Sequence, residues 1–197
     1  MAAVSLEALE KSTLPPPIAV ISGIEIVNER KEAIATRLPP PVRPRGSHFS
    51  LEELEPEKSY NTKQTLVVER ETILNIGGWD EAFRSRVHSD LFLRLNPVCS
   101  IVGLSMVTYQ LYSHGNKRVS RHPILRQESF KRLLDKHEEI FRAHPKMFAH
   151  FVCEHALMSY RLGQKREAFL NLCWAMQLAP IRTFLTLSSP LRAKLKF

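Results

Sequence analysis

The pair Gly77-Gly78 constrains this chain most. Adjacent glycines reach backbone angles that a Cβ forbids, so they end the element before them. That element, Glu69 to Ile76, reads as a short helix. It is entered from Leu66-Val67-Val68, an apolar, β-branched run suited to a buried strand. Trp79-Asp80-Glu81 follows on a turn, and then comes a helix carrying Leu91, Leu93 and Leu95, with Ser89 or Asp90 as its cap. Residues 66–95 therefore predict strand, helix, glycine loop, acidic turn and helix.

The flanks fit a sheet. Ile18 to Val27 is apolar and β-branched and reads as a strand, with a charged hairpin tip over residues 29–35. Residues 38–44 contain PPPVRP and read as extended, polyproline-like and exposed. Ser50 and Glu53 have capping-box spacing for a short helix. Residues 100–103 and 106–112 read as two strands. Ahead of them all, Ser5 is placed as the cap of a helix over Leu6 to Lys11, which Pro15-Pro16-Pro17 ends.

From Pro123 the apolar period becomes helical. Three helices are expected, over residues 124–141, 145–162 and 165–178, with Gly163 closing the second and Pro180 ending the third. The last two resemble a single tetratricopeptide-type hairpin, through Gly163, Ala168, Ala175 and Pro180; no second copy is visible. His137, His144, His150 and His155 read as helix-surface or core-edge residues.

The net charge of +8 favours anionic partners such as nucleotide phosphates or lipid headgroups. Nucleic acid is not expected, because no helix-turn-helix, zinc finger or aromatic RNA-binding signature is present. No P-loop, dinucleotide fingerprint, HExxH or Ser-His-Asp order occurs. Cys99, Cys153 and Cys173 lack metal or disulfide spacing and fit a reducing compartment. The N-terminus has no basic region ahead of an apolar one and does not read as a signal peptide. The expected location is cytoplasmic, or at the inner face of the membrane.

The order Arg70, Gly77, Gly78, Trp79, Asp80, Glu81, Asp90, Leu91, Leu93, Arg94 resembles the second half of the catalytic domain of family 2 glycosyltransferases. The resemblance extends to Tyr109, His114 and Ser120, and back to Ile18. It implies an α/β fold: part of a GT-A mixed sheet over residues 18–122, preceded by a segment 1–17 and followed by a helical cap over 123–197. It implies inverting transfer of a sugar from a nucleotide-sugar to a glycan or lipid acceptor. A divalent metal, Mg or Mn, would serve an active form.

By this resemblance Gly77, Gly78, Trp79, Asp80 and Glu81 line the acceptor, with Trp79 stacking on a sugar ring or packing as a core aromatic. Asp80 and Glu81 meet acceptor hydroxyls or serve the turn. Val87-His88 replaces the family's acidic pair, which leaves His88 or Asp90 as general base, or Asp90 as a helix cap. His114 and Arg118, with Lys117 nearby, stand where metal or diphosphate is held. The family's nucleotide site and D-x-D motif belong to a first half for which residues 1–17 are too few. The resemblance thus implies a truncated or split transferase, completed by a separate N-terminal half or working on another transferase. The alternative is a non-catalytic interaction module of the same descent, with peripheral membrane contact.

Overall fold

A computed structural model describes residues 2–47, 58–60, 62–113 and 122–194. They form two compact units, one of residues up to 113 and one from 122 onward. The Ser50–Glu53 capping box lies outside the described residues, as do His114, Lys117, Arg118 and Ser120.

The first unit is a mixed α/β fold with a four-stranded sheet in the order β2-β1-β4-β3. Strand β1 (Ile18–Val27) is buried along nearly all its length, covered on both faces. Strand β2 (Ala33–Arg37) returns antiparallel to it across a turn in which the Asn28 side chain accepts from Arg30 N–H and Glu32 N–H. Strand β4 (Ser100–Tyr112) runs parallel to β1, which requires a crossover. The two strands expected over 100–112 are thus one. Its pairing to β1 slips between Ser22 and Ile24, so Leu104 and Val107 face successive β1 residues.

Strand β3 (Val42–Arg43) pairs antiparallel with Ile101 and Val102 of β4. Residues 38–44 were expected to be exposed, yet Pro39 and Pro40 are buried. The reason is Gly103: its N–H donates to Pro41 O, and a Cβ there would lie 1.9 Å from Pro40 O.

The crossover contains a 3-10 turn (Lys63–Thr65), helix α2 (Arg70–Asn75) and helix α3 (Val87–Leu95). Leu66-Val67-Val68 does not form the expected strand. Only Val67 pairs, through reciprocal 2.8 Å bonds with Val20; two residues further along β1, Ser22 N–H donates instead to the Thr65 side chain Oγ1. One core cluster joins Ala19 and Ile21 of β1, Ile101 of β4 and Phe92 and Leu95 of α3, with Ile73 and Ile76 packed against it. Helix α1 (Ala2–Lys11) begins three residues before Ser5, which is buried inside the helix rather than capping it.

The second unit is helical: α4 (Pro123–Lys136), α5 (Glu138–Ala143), α6 (Pro145–Arg161), α7 (Lys165–Leu178) and α8 (Pro180–Lys194). The single helix expected over 124–141 is broken at His137. Gly163 (φ +80°) closes α6: its N–H donates to Tyr160 O while Gln164 N–H reaches Ser159 O. Helices α6 and α7 pack along each other, and α8 packs on both. Pro180 was expected to stop a helix. It also starts one, since proline at the first helical position lacks only an N–H that has no partner there.

His155 is fully buried, stacked on Phe130 at 3.7 Å and bonded through Nε2 to Gln127 at 2.9 Å; His137 is buried too. Both were expected nearer the surface. Glutamine and a ring partner satisfy the imidazole of His155 where spacing alone gives no hint of them. Among the described residues no helix is long and apolar enough to cross a membrane.

Candidate functional site

The glycine pair closes α2 by local hydrogen bonding. Gly77 N–H donates to Leu74 O and Gly78 N–H to Ile73 O, both at 2.9 Å, with φ of +84° and +65°. This closure needs a left-handed residue, and a Cβ would strain it. Neither glycine is crowded, so the requirement is conformational, not spatial. The chain then leaves the helix end abruptly and presents Trp79, which is 47% exposed. Asp80 follows on a side-chain-capped turn: its Oδ1 accepts from Ala82 N–H at 3.0 Å and its carbonyl from Phe83 N–H. Glu81 is exposed.

Helix α3 starts at Val87, two residues earlier than the cap expected at Ser89 or Asp90. Arg86 holds a left-handed conformation (φ 61°), and its carbonyl accepts from both Ser89 N–H and Asp90 N–H. A non-glycine residue in this region carries backbone strain. The early start puts His88 in the first helical turn, where its ring meets Trp79 edge-on at 5.2 Å between centroids.

Asp90 points inward and is almost fully buried. Arg94 grips its Oδ2 with Nε at 3.0 Å and Nη2 at 2.6 Å, the two being one helical turn apart. The remaining Arg94 arm, Nη1, donates to Ile76 O, the residue before the glycine pair. Asp90 and Arg94 thus tie α3 to the end of α2 and fix where Trp79 emerges.

A third cation enters from the 3-10 turn. Lys63 is buried, with Nζ over the Phe92 ring at 5.3 Å from its centroid. Burial first and the nearby Arg86 charge second lower its pKa to about 7. His88 is lowered too, by burial first and by Lys63 second. Both causes favour the neutral imidazole over the protonated one. Lys63 and Arg86 are the members of this cluster that sequence reasoning missed. Lys63 stands in the polar run Thr62-Lys63-Gln64-Thr65, which looks solvated. No periodicity marks Arg86 as a left-handed residue.

The structure brings together Gly77, Gly78, Trp79, Asp80, His88 and Asp90, with Lys63, Arg86 and Arg94 beneath them. No group of three His, Cys, Asp or Glu side chains converges to hold a metal among the described residues. No protein-family model, curated protein or solved structure matches this chain.

Proposed function

We propose that the first unit is the acceptor side of a family 2, GT-A-type glycosyltransferase domain. It receives a glycan or lipid-linked sugar and works with a separate nucleotide-binding half. The observation that carries this reading is the half-exposed Trp79, set on the glycine closure beside a neutral His88. An indole face suits the apolar C–H face of a sugar ring. In the transfer step the acceptor hydroxyl oxygen attacks the donor's anomeric carbon. The bond from that carbon to the phosphate oxygen breaks, and the nucleoside diphosphate leaves with its electron pair. The hydroxyl proton passes to the His88 imidazole, and the configuration inverts.

Trp79 fluorescence tests the reading, in a Trp174→Phe background that leaves one indole. Titration with a panel of neutral and N-acetylated oligosaccharides should give a saturable change, and Trp79→Ala should abolish binding of the same oligosaccharide by calorimetry without altering the fold by circular dichroism. No saturable change with any of them overturns it.

A second reading is an interaction module that recognises sugar but transfers none. It is favoured by Asp90, the one buried carboxylate among the described residues, being held by Arg94. Release of nucleoside diphosphate from nucleotide-sugars, with the N-terminal half of a homologous transferase supplied, separates the two. Transfer abolished by His88→Gln supports the first reading. Sugar binding without transfer supports the second.

A further inference from the structure

Helix α8 is inverted. Among its described side chains the most deeply buried is Thr183, whose hydroxyl donates to Ala175 O at 2.9 Å. Three of its large apolar residues point the other way: Ile181 is 77% exposed, Phe184 62% and Leu185 44%, while Leu187, one turn on from Thr183, is half-buried. Their spacing of three and four residues puts them on one stripe. Helix α7, against which α8 packs, also exposes Phe169, Leu170 and Met176. A helix that leaves isoleucine, phenylalanine and leucine in water presents an unfilled apolar surface.

Charge decides what covers it. From Ala168 to Phe197 the sequence contains no aspartate or glutamate, while Arg182, Arg192, Lys194 and Lys196 are all basic. A second copy meeting this face through its own equivalent would set like charges against each other. An acidic partner answers the charge. Ile181, Phe184 and Leu185 protrude, which suits a fluid surface better than a fixed one. Apolar residues on one side of a helix with an acid-free, basic sequence are the signature of a helix lying in the headgroup zone of a bilayer.

We propose that α8 is a peripheral membrane-docking helix, which seats Ile181, Phe184 and Leu185 in the interfacial layer of a membrane rich in anionic lipid. This rests on the helical unit alone and is independent of the sugar-binding reading.

Vesicle flotation of the full chain tests it, with phosphatidylcholine vesicles containing about 30% phosphatidylserine against phosphatidylcholine alone. Partition onto the anionic vesicles should be at least about tenfold stronger and should weaken as salt rises. The double variant Ile181→Ser/Phe184→Ser should lose roughly tenfold or more in partition. Its melting temperature should stay unchanged, since both side chains already face water. Equal or absent partition on the two vesicle types overturns the proposal, as does wild-type partition by the double variant. If the double variant instead turns an oligomer into a monomer in gel filtration and binds vesicles as before, the face is a protein interface and the membrane proposal falls.

Discussion

Helices α3 and α8 use their apolar residues in opposite ways. Helix α3 buries Leu91, Phe92, Leu93 and Leu95, and even its Asp90 carboxylate goes inside with a guanidinium to meet it. Helix α8 turns Thr183 inward and Ile181, Phe184 and Leu185 outward. The first helix has spent its hydrophobic surface on the fold; the second has kept its own in reserve. Stability should therefore be concentrated around α3, and association around α8.

The sharpest way to break this contrast is a matched pair of truncations. Phe92→Ala should cost roughly 3–5 kcal/mol in a urea melt, through lost transfer energy plus an unfilled cavity. A comparable loss from Ile181→Ser would erase the distinction. Next comes Asp90→Ala, which strands the Arg94 charge against Ile76 and should cost about 3 kcal/mol; Asp90→Asn should cost less.

Lys63 gives the comparison a pH axis. Its folded pKa, about 7, lies below the ordinary 10.5, so the unfolded chain binds the extra proton between these values. Stability should rise with pH across that window, and below it the full burial cost remains. Lys63→Met should flatten the rise and stabilise the protein by on the order of 2 kcal/mol at pH 6, measured by melts from pH 6 to 10. Gly77→Ala should cost about 1 kcal/mol by thermal melt, the strain of a Cβ at φ +84°. The smallest effect belongs to the exposed side: Ile181→Ser should stay within about 0.5 kcal/mol of wild type in the same melts.

What the sequence disclosed was whatever local chemistry controls. The β-branched run of β1, the glycine closures after Ile76 and Leu162, and the helical period of α6 and α7 each follow from a few neighbouring residues. What it concealed depends on distant partners. Val67 pairs as a single bridge, and two residues along β1 a threonine side chain takes the Ser22 amide. Asp90 looked like a cap because nothing local reveals that Arg86 starts the helix. Pro180 signals a stop and a start equally well, and only the exposed stripe on α8 shows which face the new helix keeps dry. Around the candidate site, the turn from Gly77 to Asp80 was legible because glycine and aspartate set it locally. Lys63 was not, since burial of a lysine is set by the fold around it.

The missing side chain at position 103 has a consequence for solubility. Because backbone lies where a methyl would be, the proline-rich segment can press flat on β4 and guard part of its outer rim. Prolines cannot donate to another chain's ladder, so the guard is itself a poor template for strand addition. A bulkier residue at that point would lift the segment away and bare a row of amides and carbonyls. The molecule would then be prone to join its neighbours edge to edge, with its folding otherwise intact.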